Sequence, residues 1–161
     1  MKAIKFIGFL LFVYLFQIII VSRFAFFGVK ADLPLIVTTL FAVTYGTEQG
    51  FLTGFALGFI QDMLGGIIYM NTFSRAILGF LVGTFKESVL GTEETVAVSA
   101  VLVATVTNFL IELMILFYFF GKPMASPLTL LITLLISCVF NSILSPVLYP
   151  IVRYTGRLVA E

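Results

Sequence analysis

From Phe6 to Val21 the chain carries no charge, and Gln17 is the one polar side chain near mid-span. A run this apolar suits a helix in lipid better than the surface of a soluble domain. Lys2 and Lys5 precede it as they would in a secretory leader, but the run exceeds the usual ~7–15 residues of one. The cleavage-like pair Val29 and Ala31 comes too late. The stretch reads as a first transmembrane helix, about Ile4–Val21.

Five more apolar segments follow. The second, about Pro34–Tyr45, is short; Asp32 can cap it, and Pro34 suits its first turn. At ~1.5 Å per residue it covers only part of a ~30 Å hydrocarbon layer, so its flanks extend it or its neighbours bury it. A tight "YGTEQG" turn leads to the third, about Glu48–Leu64, and the fourth is about Thr72–Phe85. The fifth, about Val96–Phe120, is opened by "GTEET", where Thr92 can cap and Glu93 and Glu94 favour the positive helix end. The sixth is about Pro127–Val152, and "SPVLYP" reads as its kinked terminus. The longest polar gap is "KESVLGTEE", too short for a soluble domain. The chain reads as all-α: a single integral membrane domain over 1–161 with about six transmembrane helices. Composition agrees, at 61% hydrophobic and 11% charged, against about a quarter charged in a soluble domain.

What is missing narrows the function. Net charge is +1, so no basic field recruits nucleic acid. There is no histidine, which removes the usual general base and the commonest metal ligand. Cys138 is the only cysteine, so no internal disulfide forms. No Gly-rich phosphate loop, nucleophile elbow or glycosidase-like acid pair is present. No catalytic residue, metal or cofactor is expected. Lysine and arginine bias puts Lys2, Lys5, Lys86, Arg153 and Arg157 on the cytoplasmic side, with Arg23, Lys30, Lys122 and Arg75 toward the other. Both termini are then cytoplasmic.

Small and polar residues recur every fourth position, which keeps them on one slowly winding ridge of a helix. The third segment has Gly50, Gly54, Gly58, Asp62 and Gly66; the fourth has Arg75, Gly79 and Gly83. The fifth has Ala100, Ala104, Asn108 and Glu112, and the sixth runs from Thr129 through Ser137, Asn141 and Ser145 to Arg153. Lipid gives no hydrophobic drive for helices to associate, so close backbone approach and interhelical hydrogen bonds must contribute. Gly50, Gly54, Gly58, Gly79 and Gly83 therefore form a seam, for the chain's own packing or for a partner. Phe51, Phe55 and Phe59 lie on the adjacent stripe. The first segment lacks such a seam and is expected to meet lipid or a partner's helix.

Charges inside the span need partners. Asp62 and Arg75 flank a short loop between antiparallel segments, so an ion pair between them is expected. Asn108 and Asn141 both lie near mid-span, within reach of a mutual hydrogen bond. Glu112 has no cation of its own; it can share Arg75 or carry a proton. A buried acid can relay protons or bind a cationic solute, while a hydrogen bond between helices is the simpler role.

Three pieces, "ADLPLIVTTLFAVTYG", "GFLTGFALGFIQDMLGG" and "TFSRAILGFLVGTF", resemble the MreD family of bacterial rod shape-determining membrane proteins. The family pattern is an Asp-led short helix, a tight turn, a glycine-stepped helix ending in Asp, and a further helix packed through small residues. Asp32, Gly50, Gly54, Gly58 and Asp62 fall on it, and the resemblance is good over about Ala31–Lys86. After Asp62 the family's stretch rich in Gly, Pro and Leu is "MLGGIIYMNTFS" here. The resemblance implies a non-enzymatic subunit of the cell-elongation machinery in the bacterial cytoplasmic (inner) membrane. It would bind MreC and be linked through it to MreB, to RodA and to a class B penicillin-binding transpeptidase, supporting peptidoglycan synthesis and rod shape. It implies a fold similar to the six-helix substrate-binding subunits of energy-coupling-factor transporters. A small-solute-binding subunit of that transporter kind is the alternative, and an intramembrane enzyme a more distant one. In those transporters the first helix has an Ala-xxx-Ala seam, which "IKFIGFLLFVYLFQIII" lacks.

Overall fold

A computed structural model describes residues 2–65, 70–86, 93–121 and 125–160. Within these residues six α-helices follow one another: α1 Lys2–Ile19, α2 Leu33–Tyr45, α3 Thr47–Gly65, α4 Met70–Phe85, α5 Glu93–Tyr118 and α6 Pro127–Ala160. Among the described residues there is no strand, only an isolated bridge between Phe26 and Val29. Among the described residues three helices are long and apolar enough to cross a membrane, over Ile4–Arg23, Thr95–Tyr118 and Pro127–Arg157. The fold is that of a helical membrane protein. Gly66, Thr92 and Lys122 lie outside the described residues.

The short helix α2 is the centre. Every residue from Leu33 to Ala42 is buried, and α2 touches all five other helices. Its sequence, "LPLIVTTLFAV", is apolar on all sides apart from two threonines, the pattern of a helix with no solvent face. Thr39 donates its hydroxyl to the Leu35 carbonyl (2.9 Å). At the other end the Gly46 N–H bonds to the Ala42 carbonyl (2.9 Å). Gly46 has φ +92° and ψ −172°, a region essentially reserved for glycine. That one residue reverses the chain, and α3 starts at Thr47.

α3 and α4 form the tightest pair. A Cβ built on Gly50 would lie 2.5 Å from Ala42 Cβ and 2.6 Å from the Gly79 carbonyl oxygen. One on Gly54 would run into the Arg75 carbonyl, and one on Gly58 would reach 2.6 Å from Thr72 Cα. From α4, Gly79 abuts Gly50, and a Cβ on Gly83 would sit 2.6 Å from the Thr47 nitrogen. The five seam glycines thus pack α3 on α4, and Gly50 and Gly54 also touch α2. The phenylalanines of the adjacent stripe, Phe51, Phe55 and Phe59, face outward and stack at 6.4 and 6.2 Å between ring centroids.

Helix α6 departs from expectation. Having passed Pro146 and Pro150, it does not end near Val152 but continues to Ala160. Each proline removes one backbone donor and crowds the carbonyl four residues back. Four positions apart, both disturb the same side of the helix, and the remaining bonds carry it on; such interruptions are tolerated in membrane helices. The extra turns matter: Tyr45 donates its hydroxyl to the Arg153 carbonyl (2.7 Å), and Gly156 lies directly under the Tyr45 ring. Helix α1 also differs in part from expectation. Leu10, Val13, Tyr14 and Gln17 form a buried stripe, while Ile4, Ile7, Leu11, Phe12 and Leu15 are exposed. One face belongs to the core and the other is left open.

Gly54→Ala should lower the thermal stability of the detergent-solubilised protein by about 1–3 kcal/mol, the usual cost of overpacking. Gly8→Ala, where the new methyl meets nothing within 4 Å, should be neutral or slightly stabilising. Comparable melting temperatures for the two variants would remove the seam from the account.

Candidate functional site

The start of α2 gathers the polar interior. The Asp32 side chain accepts from the Leu35 N–H (3.1 Å), capping α2. Its other oxygen accepts from Arg75 Nη2 on α4 at 2.7 Å, an ion pair in which the arginine side chain is 1% exposed and the aspartate 30%. The Asp32 N–H donates to Asn141 Oδ1 on α6 (2.9 Å), and Asn141 Nδ2 donates to Thr105 Oγ1 on α5 (3.0 Å). Gln17 on α1 donates to the Ala31 carbonyl (2.9 Å) and accepts from the Leu33 N–H (3.0 Å). One turn of chain thus receives side chains from α1, α4 and α6, with α5 joined through Asn141. Polar groups inside a helix bundle are costly to leave unpaired, so each bond is also a constraint on helix position.

The expected Asp62–Arg75 ion pair does not form. Asp62 instead caps α4: it accepts from the Asn71 N–H (3.1 Å) and Nδ2 (2.8 Å) and from the Thr72 N–H (2.8 Å) and Oγ1 (2.7 Å). The reason is register. The glycine contacts place Gly54 against Arg75 and Gly58 against Asn71 and Thr72. Arg75 is therefore level with Gly54, roughly 12 Å along α3 from Asp62 at 1.5 Å per residue. Asp62 reaches the first turn of α4, where unpaired N–H groups and the helix dipole favour a carboxylate.

The other two polar expectations also change. Asn108 and Asn141 do not bond to each other; Asn108 Nδ2 donates to Glu112 Oε1 one turn along α5 (2.8 Å), and Asn141 is held by Asp32 and Thr105. Glu112 does not share Arg75, whose partner is Asp32. Both Asn108 and Glu112 line a polar cavity of about 280 Å³, together with Gln17, Asp32, Gln61 and Asn141. Its walls come from α1, α2, α3, α5 and α6. Among the described residues no group of three His, Cys, Asp or Glu side chains could hold a metal ion. Cys138, half-buried on α6, is a free thiol.

Sequence reasoning missed three contributors. Thr105 is hidden among apolar residues as a completing acceptor. Asn71 and Thr72, which hold Asp62, lie at the expected start of the fourth segment, and nothing in their spacing marks them as its partners until α4 is seen to begin at Met70. Gln17 was signalled: a lone amide in an apolar helix must find partners, and its two are on the chain just before α2.

A double-mutant cycle of Asp32→Ala with Arg75→Ala should show coupling of roughly 0.5–3 kcal/mol in melting experiments. The same cycle for Asp62→Ala with Arg75→Ala should be additive within about 0.5 kcal/mol. Coupling confined to the second cycle would contradict the described register.

Over residues 2–155 the chain matches the family described as rod shape-determining protein MreD. No curated protein and no solved structure matches it. The match spans nearly the whole chain, including the Asp-led α2, the glycine-stepped α3 and the polar half of α6. A helical membrane protein organised in this way and matched over that length belongs to the MreD family, whose role is in rod shape determination.

Proposed function

We propose that this chain is a non-enzymatic scaffold of the bacterial elongation machinery, working as a single membrane domain. On this reading it binds MreC in the cytoplasmic membrane and is linked through MreC to MreB, RodA and a class B penicillin-binding transpeptidase. In that assembly it supports peptidoglycan synthesis. The family match carries the proposal. Two physical features support it. The α2–α3–α4 unit is braced by glycine packing and capped by two carboxylates, which suits a body that must hold a surface in place. The outer face of α3 and α4 keeps Phe51, Phe55, Phe73 and Ile77 exposed, apolar surface that a partner's helix can cover in the bilayer.

The proposal extends to topology and fold. Both termini are cytoplasmic, which puts the start of α2 and its cavity toward the outer face. Five helices around a short buried α2 are compatible with the plan of the substrate-binding subunits of energy-coupling-factor transporters. The solute-transport alternative draws no support from the family match.

A tagged copy purified from native membranes in mild detergent should bring MreC with it, and Gly54→Leu should reduce that recovery severalfold. Transporter ATPase subunits in place of MreC would refute the scaffold. A reporter fused after Glu161 should read cytoplasmic, and a periplasmic signal would overturn the six-crossing topology.

A further inference from the structure

Two amide side chains that line the polar cavity keep a buried oxygen without a donor. Glu112 receives one hydrogen bond, from Asn108 Nδ2, and among the described residues no cation pairs with it. Because the Asn108 amide nitrogen faces that carboxylate, its oxygen is the atom left over. Asn108 is 5% exposed and its Oδ1 is buried with no partner. Gln61 Oε1, from α3, is also buried with no partner, and all three residues line the cavity. The ion pairing around it is uneven. Asp32 and Arg75 neutralise each other, while Glu112 stands alone. Lys30 is an exposed residue at the edge of the cavity, and its ammonium is turned to Ser22 Oγ (3.2 Å).

A buried acceptor without a donor costs about 1–3 kcal/mol, and a lone carboxylate costs more. Water can satisfy such atoms, but about 280 Å³ is far more room than one water needs. The ligand that answers this arrangement carries one positive charge and donates several hydrogen bonds. A primary ammonium does both, with three N–H donors and no acceptor. A quaternary ammonium carries the charge but has nothing to donate. We propose that the cavity is a binding site for a primary ammonium group, seated between Glu112, Asn108 and Gln61. The group can belong to the headgroup of an aminophospholipid, whose phosphate would then approach Lys30, or to a small free amine.

The test uses the full chain in detergent, with ethanolamine and choline as matched probes. Ethanolamine should raise the melting temperature and choline should not. Glu112→Gln and, separately, Gln61→Leu should reduce the apparent ethanolamine affinity at least tenfold. Each variant's melting temperature without amine reports whether it has folded, and Gln61, only half-buried, provides the test if Glu112→Gln does not fold. The source is separated by native mass spectrometry after equilibration with equal phosphatidylethanolamine and phosphatidylcholine. Selective retention of phosphatidylethanolamine, displaced by ethanolamine, identifies a lipid headgroup. Stabilisation by ethanolamine without lipid retention identifies a soluble amine. Equal effects of ethanolamine and choline, no effect of either, or undiminished binding by both folded variants would overturn the proposal. MreC takes no part in the experiment, so its outcome is separate from that of the scaffold reading.

Discussion

Asp32 has three obligations at once. Its side chain caps α2 and receives Arg75, and its backbone N–H is held by Asn141. Remove the carboxylate and a guanidinium with 1% exposure is left without its charge partner, among the costlier faults a folded protein can contain. Arg75 Nε and Nη1 have no partners as it is, so the pair rests on a single short bond. Other elements align to this point: α1 through Gln17, α5 through Thr105, α6 through Asn141. A bilayer offers helices no hydrophobic reason to choose one neighbour over another, so a few polar contacts decide the arrangement.

The glycine seam acts beside that polar centre and sets distance. With no side chains between them, the α3 and α4 backbones approach until carbonyl and Cα atoms touch, and dispersion over that length holds them. The seam also sets register, and register decides which carboxylate meets which partner. Asp62 and Asp32 are chemically alike and each caps a helix, but only Asp32 lies level with Arg75. The result is a closely packed inner unit with apolar faces outside it, in a family whose role is in rod shape determination.

Much of this was legible in the sequence. Apolar runs gave six helices, spacing-four glycines gave the seam, and an Asp two residues before a proline gave the start of α2. What failed was depth. Placing Asp62 and Arg75 at the same level assumed that a short loop fixes the register, whereas Gly54 and Gly58 fix it two turns away. The pairing of Asn141 with Asp32 and Thr105 was unreadable because spacing within one helix says nothing about which helix lies beside it. The end of α6 was not legible because the apolar run stops at Val152, while the helix itself continues with Arg153 and Arg157 to Ala160.

The order in which the polar centre is completed has a consequence for biogenesis. Asp32 and Arg75 are both translated well before Thr105 and Asn141. A nascent chain that has inserted α1 to α4 can form the ion pair and the glycine seam, but the Asp32 N–H has no Asn141 to receive it. Nor can Tyr45 reach a carbonyl of α6, which is the last helix made. α2, at 13 residues, is too short to bridge the bilayer by itself, so it is secure only once the later helices close around it. Until α6 is made, the half-finished bundle therefore keeps an unpaired backbone donor at the start of α2 and an unpaired hydroxyl at its end.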